Sequence, residues 1–460
     1  MATYIKKNIY CDAEVIEPVK RELNKKTLLQ KVKKTDFLGL TCYTESRFEC
    51  FEFAQQAKLI NPNCQIIIGG CHATALDKQI LQHYPFIDII VRSEGEQALL
   101  AIVQQKPLEE IKGVTWRRGS EIIRNPDQEF EKEISRYHFD YSLIWREINN
   151  WKDDEIPYRL QKTVNLPIIA SRGCLFHCAF CGAHEQWRGL WRGHLPEELV
   201  EQIVFLNKKY KVGYFRFYDA LFIGAENQIL EFCRLLEKSK LDIKFRIDIR
   251  VGTSQFILKR LRQVGCQVVG FGVESGSNKI LKRINKGITR EQIEQTINIC
   301  KSLGYWTIGF FMISLPDETQ DDFNKTKELF KYFDVFNLQF FKIHPNTIFY
   351  QELKHKGEIN DEIWFNKDYG EEIFYSKEMF PSANFYRQDV EKNIKFFYLK
   401  HDIKKSRITL KRYGLIKGVL RYIFSSIQFI LLQNEKSTEF LRRIRTSLLV
   451  KRFKNYFFNR

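Results

Sequence analysis

Cys174, Cys178 and Cys181 crowd into eight residues of the run Ser171-Arg172-Gly173-Cys174-Leu175-Phe176-His177-Cys178-Ala179-Phe180-Cys181. The spacing is Cys-x3-Cys-x2-Cys. Three thiolates on one loop can each ligate one iron of a 4Fe–4S cubane, leaving the fourth iron open to a small molecule. A closed electron-transfer cluster needs a fourth cysteine, and no second cysteine cluster supplies one. The competing chemistry is zinc, which takes four ligands. His177 or His184 would complete that set.

Such a loop needs a frame. Between about residues 163 and 350 apolar runs alternate with helical periodicity. Candidate strands are Leu166–Ala170, Tyr214–Tyr218, Ile243–Ile247, Val268–Gly272, Thr307–Ile313 and Leu338–Ile343. Candidate helices are Pro196–Lys209, Asn227–Ser239, Ser254–Val264, Asn278–Ile284, Arg290–Leu303 and Gln320–Phe333. Pro196 and Thr289 are start signals, and Gly265 and Gly304 are stops. Six β/α units in a row favour a (β/α)6 partial TIM-type barrel, with its site at the carboxyl ends of the strands. A flat doubly wound sheet fits the pattern alone. The cysteine run follows the first strand. Asp219 closes the second, Arg250 follows the third, and Glu274 and Ser275 close the fourth.

Residues 1–130 carry a shorter α/β pattern. Asp36–Cys42, Cys64–Gly70 and Asp88–Val91 are short buried-type strands. Phe48–Ile60 is a helix between the first two, and another starts at Glu94. This alternation suggests a small doubly wound, Rossmann-like sheet. Val114–Trp116 and Ile122–Ile123 form a closing hairpin. Residues 131–162 are a polar connector, and 351–460 a basic helical region.

The net charge is +17, yet residues 401–460 hold 15 Lys and Arg against three acids. The main body is near neutral, which argues against a nucleic-acid groove. Arg412–Leu432 places Leu415, Ile416, Val419, Leu420, Ile423, Ile427 and Ile430 on one stripe. Segment 412–454 therefore reads either as a basic amphipathic helix on an anionic membrane or as a helix packed on the barrel. The other eight of the 11 cysteines are scattered, as in reduced thiols of a cytoplasmic protein. No signal peptide and no spanning helix are expected.

The cysteine spacing, Phe180 before the last cysteine and the six β/α units together resemble the radical S-adenosylmethionine superfamily. The resemblance covers roughly residues 163–350. Phe217-Tyr218-Asp219, Gly272-Val273-Glu274-Ser275-Gly276, Lys286-Gly287 and Phe310-Phe311-Met312-Ile313-Ser314-Leu315-Pro316-Asp317-Glu318-Thr319 follow successive strands. In that order they are similar to the branch with an N-terminal cobalamin-binding domain. Gly39-Leu40-Thr41, Gly69-Gly70-Cys71-His72-Ala73-Thr74 and Arg92-Ser93-Glu94-Gly95-Glu96 resemble that domain.

The resemblance implies three cofactors: a 4Fe–4S cluster on Cys174, Cys178 and Cys181, S-adenosylmethionine, and cobalamin. Phe180, Asp219, Arg250, Glu274 and Ser275 would hold S-adenosylmethionine, with Phe180 near the adenine. Thr41, Gly69 and Gly70 would line the cobalamin site. One electron from the cluster would cleave the sulfonium, and the 5′-deoxyadenosyl radical would abstract hydrogen from an unactivated carbon. Methyl transfer is the implied outcome with cobalamin; cyclisation or rearrangement without it is the alternative. A flavodoxin or ferredoxin would supply the electron, and the substrate would be a small molecule or a lipid.

Departures are present. Ser314 and Asp317 stand where the family has glycines, and His344-Pro345-Asn346-Thr347 replaces a Pro-Gly-Thr turn. The first β-α unit of the N-terminal domain is missing or degenerate, and no Asp-x-His-x-x-Gly motif occurs. His72 is read as structural or surface. A domain that only braces the barrel is therefore the alternative to cobalamin binding. From another class, a membrane-associated scaffold with a structural metal loop predicts zinc and no cleavage chemistry.

Overall fold

Two parallel-strand sheets frame the chain in the computed structural model. It describes residues 1–16 and 25–367, apart from His138, Asn150, Asp154 and Ile223. The basic segment 412–454 lies outside the described residues.

The first sheet has five strands in chain order: β1 (Phe37–Thr41), β2 (Gln65–Gly69), β3 (Ile89–Val91), β4 (Val114–Arg118) and β5 (Glu121–Arg124). The first three are parallel, and the hairpin β4–β5 adds antiparallel to β3. Ile66, Ile67 and Ile68 of β2 are all buried, because helices and chain cover both faces. The strand order never reverses among the described residues. The sheet is thus wound in one direction, like one half of the doubly wound sheet expected from sequence.

The second sheet begins with β6 (Val164–Ile168). A small antiparallel hairpin follows, β7 (Ser171–Gly173) with β8 (Trp191–Gly193). The sheet continues with β9 (Val212–Phe217), β10 (Lys244–Ile249), β11 (Cys266–Glu274), β12 (Trp306–Ile313) and β13 (Val335–Phe340). Its order is β6-β9-β10-β11-β12-β13, and every pairing is parallel. Chain order equals spatial order, so each crossover turns the same way and the helices share one face. This is a partial barrel with β6 and β13 as its edges.

Period-2 alternation decides the two faces. Phe217 and Phe245 point outward and meet Phe232 of helix Glu226–Ser239 edge to face. Tyr214, Val268, Ile308 and Val335 point inward against Ile156 and Leu160 of the connector. The connector therefore plugs the amino end of the barrel. One layer higher, buried Arg246 binds Asp153, Glu155 and Asp248. Arg216 lies 3.7 Å from Asp153 and stacks on Tyr218. Those connector carboxylates are the polar floor of the lumen.

Five of the six barrel strands, β6, β9, β11, β12 and β13, start one to three residues earlier than the sequence suggested. β6 starts at Val164 because Val164 pairs with Val212, and β13 starts at Val335 because Val335 pairs with Ile308. Neighbouring strands set these limits, not composition.

Candidate functional site

The cysteine loop leaves the barrel through Gly173. Its φ is +95°, and a Cβ there would collide with the Leu190 carbonyl. Glycine is required at this close approach. Beyond it, the loop is pinned from the far side of the barrel. Ala179 N donates to Ile284 O at 2.9 Å, and Asn285 Nδ2 donates to His177 O at 2.9 Å. Phe349 N donates to Ala179 O, and Cys181 N to Cys178 O. Cys174, Cys178 and Cys181 are all half-buried.

Two cations face the thiols. Burial pushes Cys178 up, while Lys286 and Arg250 pull it back. Burial also raises Cys181, with Lys286 opposing. Arg250 stacks 3.5 Å over Phe176 and donates to Lys286 O. Arg250 therefore stands beside Cys178, where its charge favours a thiolate. Lys286 Nζ binds Glu274 Oε1 at 2.7 Å and sits 5.8 Å from the Phe180 ring.

Glu274 ends β11 in a left-handed conformation, φ +66°, after a register shift against β12. The inward positions before it are Gly272 and Gly270. A Cβ at Gly272 would lie 2.7 Å from Glu274 Oε1 and 2.8 Å from Lys286 Nζ; one at Gly270 would run into Asp248. The carboxyl half of β11 therefore presents bare backbone to the lumen. Phe180, Arg250, Glu274 and the cysteine loop converge there, together with Lys286 and Phe176, to which the sequence reading gave no role.

Two expected residues also make bonds within the protein. Asp219 Oδ1 accepts from Ala170 N at 3.0 Å and Ser171 Oγ at 2.6 Å. It braces the turn that enters the cysteine loop. Burial pushes its carboxyl up to about 7, and its Oδ2 is buried with no hydrogen-bond partner. Ser275 is fully buried and its hydroxyl meets Thr326 at 3.2 Å. That hydroxyl is spent between β11 and helix Gln320–Leu329.

In the N-terminal sheet, Thr41 pairs with Gly69, side by side at the carboxyl edge. Gly70 has φ +100°, and a Cβ would lie 2.7 Å from Cys42 O. The glycine pair thus lets β1 and β2 close together. Tyr43 and Cys71 are exposed beside it. His72 is not on the surface. It is fully buried, accepts or donates at Thr44 Oγ1 over 3.1 Å, and packs edge-on to Trp364. Burial, with Arg47 and His344, holds its imidazole down at about 3.

These residues fit the implied groups. The donor set is three thiols flanked by cations, which suits a negatively charged cluster. The glycine-lined end of β11 brings the carboxylate of Glu274 and the ammonium of Lys286 to bare backbone, polar atoms that suit a small zwitterion. The open carboxyl edge of β1–β3 is where such sheets take ligands.

Residues 168–330 match the model of the radical SAM superfamily, and residues 9–103 match that of the B12 binding domain. The chain belongs to the radical SAM superfamily, in the branch with an N-terminal B12-binding domain. It is a radical SAM enzyme. The first match brings the 4Fe–4S cluster and S-adenosylmethionine; the second brings cobalamin. This radical SAM chain is 28% identical over 337 residues to an uncharacterized methyltransferase of Pyrococcus horikoshii, covering 72% of each. It is 28% identical over 376 residues to the anaerobic magnesium-protoporphyrin IX monomethyl ester cyclase of Rubrivivax gelatinosus, covering 78% of this chain and 66% of the cyclase. Among solved structures, the cobalamin-dependent radical enzyme OxsB superposes with TM-score 0.70 at 18% identity, over 96% of this chain and 71% of that one. The methyltransferase TsrM of Kitasatospora setae, solved with tryptophan, gives 0.62 at 16% identity, over 77% and 72%. Both likenesses concern the fold. Among the described residues no helix is long and apolar enough to cross a membrane.

Proposed function

We propose that this radical SAM enzyme transfers a methyl group to an unactivated carbon of a small molecule, with cobalamin as methyl carrier. The observation that carries the reading is the joining of the two site halves. The glycine-lined cradle at β11 and the cysteine loop share one lumen, and the B12-type sheet abuts that loop. When bound, the cluster supplies one electron to the sulfonium of S-adenosylmethionine.

In this reading Cys174, Cys178 and Cys181 hold the cluster. Arg250 and Lys286 balance its charge, and the remaining guanidinium N–H groups of Arg250 take a carboxylate. Glu274 takes a hydroxyl or ammonium of S-adenosylmethionine, and Phe180 packs beside its adenine. Thr41, Gly69 and Gly70 line the cobalamin site. Asp219 and Ser275 act behind this layer: Asp219 fixes the loop entrance and Ser275 fixes the end of β11. The plugged barrel floor excludes water from a reactive intermediate.

The relatives include both a methyltransferase and a cyclase, so ring formation or rearrangement is the second reading. A small-molecule substrate suits the enclosed lumen; a lipid would suit membrane contact through 412–454. Unpaired cysteines fit a reducing compartment and an external donor such as flavodoxin or ferredoxin.

The test is anaerobic reconstitution with iron, sulfide and hydroxocobalamin, then reduction with S-adenosylmethionine. Electron paramagnetic resonance should show a reduced 4Fe–4S signal that changes on adding S-adenosylmethionine, with 5′-deoxyadenosine released. Cys178→Ala should abolish both. Methylation leaves S-adenosylhomocysteine beside 5′-deoxyadenosine; cyclisation leaves the nucleoside alone. A zinc-loaded chain without cleavage would overturn the radical chemistry.

A further inference from the structure

Arg172 and Arg192 lie directly opposite each other on β7 and β8. Like charges in that position repel and should open the hairpin. A carboxylate from the other sheet prevents this. Glu94, just past β3, takes Arg172 Nη1 at 2.9 Å on Oε1. The same carboxylate takes Arg192 Nη1 and Nη2 at 3.0 Å each. Glu96 takes Arg172 Nη2 at 2.7 Å. The Glu94 side chain is only 2% exposed. The arginines also lie over rings, Arg172 over Tyr137 at 5.0 Å and Arg192 over Phe130 at 4.8 Å.

Both ends of this bridge are placed to matter. Arg172 is two residues from Cys174. Glu94 follows Ser93, whose φ is +58° and whose N–H donates to Thr74 Oγ1 at 3.0 Å. Thr74 Oγ1 in turn donates to Gly70 O at 2.8 Å. A continuous hydrogen-bonded path thus runs from Gly70, through Thr74, Ser93 and Glu94, to Arg172 and the cysteine loop. Gln186 Nε2 adds a second link to Ser93 O at 3.3 Å.

We propose that Glu94 is a positioning residue that locks the cysteine loop to the carboxyl edge of the B12-type sheet, so that cluster binding and cobalamin binding strengthen each other. This rests on the cofactor reading above. The physical ground is linkage. A filled cluster orders the loop, the loop orders the arginines, and the arginines hold Glu94 and Ser93 where they support Gly70. Coupling of this kind is reciprocal and commonly amounts to roughly 5–150-fold in affinity.

The experiment titrates hydroxocobalamin into the full chain, anaerobically, with and without reconstituted cluster. Absorbance gives the Kd, and electron paramagnetic resonance gives the linewidth of the reduced cluster. Wild-type chain should bind hydroxocobalamin about tenfold tighter with the cluster in place. Glu94→Gln should still take up both groups, lose that difference and broaden the cluster signal. If E94Q melts below the assay temperature, Arg172→Gln carries the test, because it cuts the link at the cysteine loop while Arg192 still pairs with Glu94. An unchanged tenfold difference and linewidth in a folded variant overturns the inference. So does a wild-type chain that binds both groups with no difference between them. A wild-type chain that takes up no hydroxocobalamin overturns the cofactor reading itself, and the coupling with it.

Discussion

Lys286 is the residue that most changes the picture of the site. It neutralises Glu274 at the end of β11 and stands beside Cys178 and Phe180. Lys286→Met would leave Glu274 nearly buried with its charge unpaired. A lost charge-assisted hydrogen bond costs roughly 1.5–3 kcal/mol. Equilibrium dialysis should therefore show S-adenosylmethionine bound about 10–100-fold more weakly, at unchanged iron content. Glu318 gives a pH signature. It is buried, takes Ser314 N at 2.7 Å and Leu315 N at 3.2 Å, and burial raises its carboxyl to about 8. Its native pKa lies above the unfolded value of 4.5. The folded chain thus holds the extra proton between these values. The stabilisation is complete below about 4.5 and is lost as pH rises towards 8. Glu318→Gln mimics the protonated form, so its melting temperature should gain on wild type between pH 6 and 8. A gap that stays flat with pH would contradict this. Cys174, Cys178 and Cys181 were singled out at this scale because their spacing on one loop suggests a cluster. Lys286 was not, because a lysine after a short helix is usually a solvated one.

At the scale of elements, the six β/α units were legible because each runs long enough to show a period. Thr289 caps its helix with a reciprocal capping box through Gln292, and Ser254 caps Gln255–Gln263. The hairpin β7–β8 was not legible. Its strands have three residues each, with 17 residues between them. Only the tertiary pairing of Ser171–Gly173 with Trp191–Gly193 reveals it. The hairpin also explains Gly173. Gly173→Ala puts a Cβ into the Leu190 carbonyl in a left-handed conformation. Reconstituted iron should fall by more than half, while the melting temperature of the barrel moves little. Full iron loading would show that the hairpin tolerates a Cβ and that its close approach is not needed.

For the whole molecule, the connector decides how the barrel is closed. Arg246 is fully buried and gathers Asp153, Glu155 and Asp248, while Asn337 donates to Glu155. Removing one partner of a buried ion network leaves uncompensated charge and costs about 3–5 kcal/mol. Arg246→Met should lower the unfolding free energy from urea titration by that amount, measured on the full chain. Adding Asp153→Asn to it should recover part of the loss; no recovery would mean the two residues act independently. The sequence placed residues 131–162 as a polar connector, and polar residues ordinarily face water. Here they face the lumen because Ile156 and Leu160 plug the barrel and carry Asp153 and Glu155 in with them.

The barrel of six β/α units was determined by the sequence itself, because periodicity is a property of the chain; the B12-type domain before it came from motif resemblance, and the cysteine spacing named the candidate cluster ligands. Tertiary structure alone decided which charged residues meet. Asp219 braces the entrance of the cysteine loop, Ser275 is buried against Thr326, and Glu94 bridges Arg172 and Arg192 across two sheets. Such pairings join residues up to 98 positions apart. They depend on strand order and on the direction of each side chain, neither of which a linear pattern carries.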